Sequence, residues 1–189
     1  MAGTYTPVEL TVTVDGERED ILTLLADQRA LFRVTLRGLT DDQARTKSTV
    51  SALTLGGLLK HLAMGERAAV GVITERDENA EFDMEAAAFA YELLPDETVE
   101  YWLAEYEAAA EAYDRLVAEA DSLDELIPQP TAPWQPEREW WSIRRMVLHN
   151  LRETAHHSGH ADIIREALDG QSTMAAISEG ADWAEGWAE

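Results

Sequence analysis

A chain of 189 residues with 37 acidic and 15 basic side chains, for a formal charge of −22, is long enough for one core and short for two. The excess of acids disfavours nucleic acid and anionic membrane surfaces as partners and is read first as a device for solubility. With 46% hydrophobic and 28% charged residues the composition is that of a globular protein, and the absence of cysteine removes disulfides, thiolate ligands and a cysteine nucleophile, so that thiol chemistry needs a thiol from outside.

The N-terminal MAGTYTPVELTVTVDGERED has neither a basic start nor an apolar stretch, and nowhere does an apolar run reach the roughly eighteen residues of a membrane span. A cytoplasmic protein is expected. Residues 1–17 read as an N-terminal extension whose TVTV favours extended backbone. From Arg18 to Leu39, the residues Ile21, Leu24, Leu25, Gln28, Leu31, Phe32, Thr35 and Leu36 share one helical face. The stretch Thr40 to Ser51 is polar. Thr54 is the expected N-cap of a second helix, TLGGLLKHLAMGERAAVGVI, with Leu55, Leu58, Leu62, Gly65, Ala69 and Val72 on its seam and His61 beside it.

Between Thr74 and Asp96 the sequence is acidic and weakly periodic; DMEAAAFAYELL has the alanine and leucine for a short helix over one end of the bundle. This connection of roughly twenty residues is longer than the usual bundle turn and leaves room for a crossover. After Pro95 and Asp96 a third helix sets Val99, Trp102, Tyr106, Ala109, Tyr113, Leu116 and Ala120 in a 3, 4 rhythm. Pro128, Pro130, Pro133 and Pro136 argue against regular structure in the next loop. Its Trp134, Trp140 and Trp141 read as aromatic packing, with a pocket mouth as the alternative. Ser142 caps a fourth helix that runs to Leu168 and stops at Asp169-Gly170. The whole reads as an all-α four-helix bundle over residues 18–170, with a long connection between helices two and three. A tail over 171–189 carries Trp183 and Trp187, which suit packing on the domain or on a second copy in a homodimer.

All five histidines fall in two places: His61 on helix two, and His149, His156, His157 and His160 on helix four. On helix four Met146, Asn150, Glu153, His157, His160 and Ile164 follow the spacing of a buried seam that is apolar at its ends and ionisable in its middle. Burying a carboxylate with imidazoles is costly unless something compensates, and a divalent cation is the commonest compensation inside bundles. Glu153 and His157 lie about 40° apart on the helix surface and converge, with His61 arriving from the facing helix. His156 with His160 is also a one-turn pair that spacing alone does not exclude, but His156 shares its side with Arg152, which reads as solvent-facing. Glu153 and His157 are therefore the favoured pair, with His160 as an extra ligand or a substrate contact. The bland alternative is a hydrogen-bonded His and Glu cluster without metal, and His149 reads as a partly exposed helical residue.

At TLGGLLKHLAMGER (54–67) and SIRRMVLHNLRETAHHSGHADIIREALDG (142–170), the sequence resembles the DinB-like superfamily, whose four-helix bundles hold a metal by one histidine on helix two and two ligands a turn apart on the last long helix. The likeness covers roughly Arg18 to Gly170. Many members have His-x-x-x-His followed by Arg-Gly-Gln; the match puts Glu153 and His157 on the two ligand positions and His160 on the glutamine. The mycothiol-dependent maleylpyruvate isomerases, one branch, are similar in using Glu-x-x-x-His. That branch carries a further C-terminal domain for which this length leaves no room, so the isomerisation itself is not expected.

The resemblance implies a thiol-dependent S-transferase with His61, Glu153 and His157 as metal ligands, zinc as the first choice and nickel as another, and mycothiol or a similar thiol as co-substrate. A neutral His160 would accept the thiol proton or orient the electrophile. Metal-dependent hydrolysis and a non-enzymatic, metal-stabilised dimer are the competing readings.

Overall fold

The computed structural model describes residues 8–179. Four long helices, α1 (Gly16–Val34), α3 (Leu55–Glu75), α5 (Val99–Glu119) and α6 (Ile143–Asp169), make an all-α bundle. The short helices α2 (Asp41–Arg45), α4 (Met84–Ala87) and α7 (Thr173–Ser178) fill the connections and the C-terminal end. Trp183 and Trp187 lie outside the described residues, and with them the expectation of a tryptophan-bearing interface. No helix among the described residues is long and apolar enough to cross a membrane.

The ends of the helices follow their capping residues. The hydroxyls of Thr54, Thr98 and Ser142 accept from the backbone N–H groups of Gly57, Tyr101 and Arg145, starting α3, α5 and α6. Gly170 ends α6 at φ 81°, a left-handed turn that is cheapest for glycine. Helix α1 stops short of the expected Leu39: after Val34 the N–H groups of Thr35, Leu36 and Arg37 bond three residues back, to Phe32, Arg33 and Val34, a tightened winding rather than an α-helix.

Helix α3 lies against α5 and α6, and α1 against α6 and, more lightly, α5. The long connection, residues 76–98, therefore joins neighbouring helices, and the crossover for which its length leaves room is not made there. Its alanine-rich segment forms only the four residues of α4, capped by Asp83, none of which is buried to anchor a longer helix.

The proline-rich loop contains regular structure after all. β1 (Leu126–Pro128) pairs antiparallel with β2 (Trp140–Ser142), Ile127 opposite Trp141, because Pro128 sits at the end of its strand, where the missing N–H costs the ladder least. Toward the N-terminus, Leu10, Val12 and Val14 alternate inward with no partner strand among the described residues and pack on the core.

The core has two apolar halves. One gathers Phe32, Leu58, Leu59, Trp102, Tyr106 and Ile164; the other gathers Leu22, Leu25, Tyr113, Ile127, Ile143 and Val147. Polar residues occupy the middle, where Arg29, 3% exposed, bonds both carboxylate oxygens of Glu66 at 2.8 and 3.0 Å and both of Asp114 at 2.9 and 3.0 Å. On α1 and the turn after it the expected face is inward at Ile21, Leu25, Phe32, Thr35 and Leu36, with two departures: Leu24 is exposed, and Arg29 is inside because the triad holds it. On α3, Gly65 is likewise exposed and Glu66 takes the inward position.

Candidate metal centre

The same middle layer of the bundle carries the histidines. His61, on the second turn of α3, Glu153 and His157, one turn apart on α6, each offer one donor atom, and these atoms all lie within 4.8 Å of one another. Donors about 2 Å from a shared ion sit roughly 3 to 4 Å apart, so the observed spread closes with small rotations of three side chains. Nε2 of His157 is 3.7 Å from Oε2 of Glu153, and the rings of His61 and His157 meet edge to face at 4.9 Å.

Burial decides the protonation of these groups. It pushes the His61 imidazole down to about 4, with His157 adding to the effect and Glu153 opposing it. His157 is lowered too, first by burial, with Glu153 opposing and His160 and His156 contributing. Both rings are thus neutral at neutral pH and have a free lone pair. Glu153 is only half-buried; burial raises its carboxyl, but the Arg152 guanidinium at 2.7 Å and the flanking histidines outweigh it and hold the group below its ordinary value. Two neutral nitrogens and a carboxylate form a donor set that suits a borderline divalent cation such as zinc.

His160 is outside this three-donor group. Its Nδ1 lies 3.3 Å from Nδ1 of His157, on the nitrogen of that ring other than the one facing Glu153. His156 is exposed and stacks edge-on against His160 at 4.4 Å; the rival His156 and His160 pair is not brought together with His61.

Two residues near the cluster escaped the sequence reading. Tyr91, from the connection before α5, stacks on His61 with ring centroids 4.0 Å apart and its hydroxyl 3.0 Å from Nε2. It can come so near because Gly56 and Gly57 leave no side chain there: a Cβ on Gly57 would fall on the Tyr91 carbonyl, and one on Gly56 would meet Leu93 at 2.7 Å. The Lys60 ammonium ties this segment down through Glu97 at 2.8 Å and the Glu92 carbonyl at 3.1 Å. His149 is the partly exposed helical residue its position implies, and it also lies one turn before Glu153, 4.0 Å from its carboxylate, with Trp141 edge-on at 5.4 Å. The spacing of His149 to Glu153 was the available signal; nothing in the weakly periodic segment around Tyr91 was.

Beside the cluster lies a cavity of about 300 Å³ between α3, α6 and the loop before β2. His61, His149 and Glu153 line it together with Trp141, Met146 and Asn150. Trp134 and Trp140 are exposed and do not line it, so among the loop tryptophans only Trp141 takes part in the pocket. A larger cavity, about 890 Å³, lies where the end of α1 meets the start of α5, and none of the histidines reach it.

The fold and the site define a class: an all-helical bundle with a cluster of two imidazoles and a carboxylate between two helices, open to a small cavity. A sequence model of the mycothiol-S-transferase family matches residues 20–170, and the chain belongs to that family. No curated protein matches it in sequence. Among solved structures, a conserved protein from Enterococcus faecalis superposes with a TM-score of 0.62 at 15% identity, over 84% of this chain and 100% of that one; so low an identity speaks for the shared fold alone.

Proposed function

We propose that this protein is a metal-dependent S-transferase that joins a low-molecular-weight thiol of the mycothiol kind to an electrophile, with His61, Glu153 and His157 as the metal ligands. The observation that carries the reading is the convergence of three donor atoms from two helices within 4.8 Å, in a chain of a thiol-transferase family. Zinc is the first choice of ion and nickel the competitor, on donor chemistry. A divalent cation bound there supplies the Lewis acidity that keeps a coordinated thiol deprotonated at neutral pH, whereas a free thiol, with a pKa near about 8.5, is mostly protonated.

The protein's own groups do the rest. Burial keeps His61 and His157 neutral, so that ion binding displaces no proton from either at pH 7. His160 is assigned a positioning role: its contact with Nδ1 of His157 fixes the tautomer and leaves Nε2 toward the cluster, as outer hydrogen-bond partners of ligand histidines do. The Tyr91 ring, stacked on His61, fixes the plane of that imidazole. In the transfer, the thiol loses its proton to solvent, a sulfur lone pair forms the new C–S bond, and the leaving group departs with the electron pair of the bond that breaks.

The test combines metal analysis of the purified protein with conjugation assays using mycothiol, other small thiols and 1-chloro-2,4-dinitrobenzene. His61→Ala and His157→Ala should each lose bound metal and metal-dependent conjugation together, and His160→Ala should weaken metal affinity by about 10- to 100-fold. Full metal content in His61→Ala, or no metal-dependent conjugation with any thiol, would overturn the reading. Turnover with the thiol omitted would point to hydrolysis instead.

A further inference from the structure

We infer that the cavity of about 300 Å³ beside the histidine cluster is the seat of the electrophile, and that it selects an uncharged, largely apolar molecule bearing a carbonyl or nitro oxygen. The inference deepens the S-transferase reading by naming the second substrate's chemical class. Three observations carry it.

The first is size and wall chemistry. The volume lies at the small end of ligand pockets, and Leu62, Ala69, Val72, Phe82, Trp141 and Met146 supply its apolar surface. A flat ring fits beside the indole of Trp141, whose edge-to-face contact with His149 already sets one wall.

The second is charge. The residues lining the cavity include neither lysine nor arginine. Of its two carboxylates, Glu66 is bonded to Arg29 at 2.8 Å and Glu153 to Arg152 at 2.7 Å, both arginines outside the lining and already engaged. An anionic substrate would meet no free side-chain cation on the walls to replace its hydration. A divalent ion held by His61, Glu153 and His157 would not reverse this, because Glu153 and a coordinated thiolate would offset its two positive charges.

The third is an unpaired donor. Asn150 lines the cavity at 9% exposure, and its Nδ2 is buried with no hydrogen-bond partner among the described residues. Buried amides are nearly always satisfied, and the terminal torsion of an asparagine is soft enough to turn the NH2 toward a ligand. An oxygen acceptor on the electrophile supplies the missing partner. In a nitroaromatic that carries a leaving group, the same hydrogen bond withdraws electron density from the carbon under attack.

Binding can be read without turnover. Ligand-observed NMR titrations on chelator-treated protein, with no thiol present, would compare 1,3-dinitrobenzene, 3,5-dinitrobenzoate and 1,3-dichlorobenzene. Dinitrobenzene should bind at least about tenfold more tightly than dinitrobenzoate. Asn150→Leu should cost dinitrobenzene about tenfold, the scale of one lost hydrogen bond, while leaving dichlorobenzene unchanged. Val72→Trp, which fills the cavity, should abolish binding of both neutral ligands; Ala69→Met takes its place if that variant fails to fold. Equal affinity for the benzoate, parallel losses of both neutral ligands in Asn150→Leu, or binding that survives the filled cavity would each overturn the inference. Because neither metal nor thiol is in the tube, these outcomes are separate from failure of the S-transferase reading, which the conjugation assay decides.

Discussion

The neutral imidazole of His61 has a consequence for the ion-free protein. In the unfolded chain a histidine takes up its proton near about pH 6.5, whereas burial in the folded state holds His61 off until about 4. Across that window the unfolded state binds more protons, so folding stability falls as pH drops from about 6.5 toward 4 and is greatest above it. Urea midpoints of chelator-treated protein should decline through this range, and the decline should be shallower in His61→Asn; identical slopes would show that His61 does not titrate there. The triad His61, Glu153 and His157 was legible because ionisable residues broke an otherwise apolar seam, and that pattern depends only on helical spacing. Tyr91 was not, since its approach to His61 depends on the docking of an irregular segment onto Gly57, a tertiary fact without a period. His149 had its spacing to Glu153 in plain view, but whether it faced the cavity depended on the rotation of α6 about its own axis by a fraction of a residue.

Among the elements, the start of α3 sets the site by what it lacks. Glycine inside a helix normally loses about 0.5 to 1 kcal/mol relative to alanine, so a change at Gly57 would stabilise α3 on its own. The added methyl would instead strike the backbone carbonyl of Tyr91, and overpacking of this kind costs typically about 1 to 3 kcal/mol. The clash outweighs the gain. Gly57→Ala should therefore lower the denaturation midpoint and shift Tyr91 away from His61, read as altered tyrosine fluorescence; a stabilised variant with Tyr91 unmoved would refute the account. Helix boundaries were the most readable part of the fold, since Thr54, Ser142 and Gly170 hold the ends they were expected to hold. The capping box of α2, Thr40 with Gln43, carried an equally good signal inside a stretch read only as polar. The strand pair was obscured by the density of prolines around it, although Pro128 ends a strand rather than preventing one.

For the molecule as a whole, Arg29 joins three helices in one buried triad: α1 supplies the guanidinium, and α3 and α5 the carboxylates of Glu66 and Asp114. Burial raises the carboxyl of Glu66 above its ordinary value while Arg29 pulls it back down, so the charged state depends on the arginine. Arg29→Met would leave two carboxylates buried without a cation, a loss of about 3 to 5 kcal/mol; replacing all three residues with apolar ones of similar volume should recover most of it. Chemical denaturation measures both, and a single substitution that costs under 1 kcal/mol would mean that water reaches the triad. Hydrophobic spacing gives the inward face of α1 except at two positions: it places Leu24 inside, and it has no means of placing Arg29 there, since that burial depends on two carboxylates from other helices. The layer of charge that crosses the bundle separates its two apolar halves, and the histidine cluster lies at that same level.

His61 and Glu153 are separated by about ninety residues, and in an unfolded chain closing such a loop costs roughly 4 kcal/mol. A denatured polypeptide thus has no ready-made nest for the ion. Whatever affinity the folded trio has for a cation would therefore be available almost in full to oppose unfolding, and an ion held there would be a clasp between two distant lengths of chain.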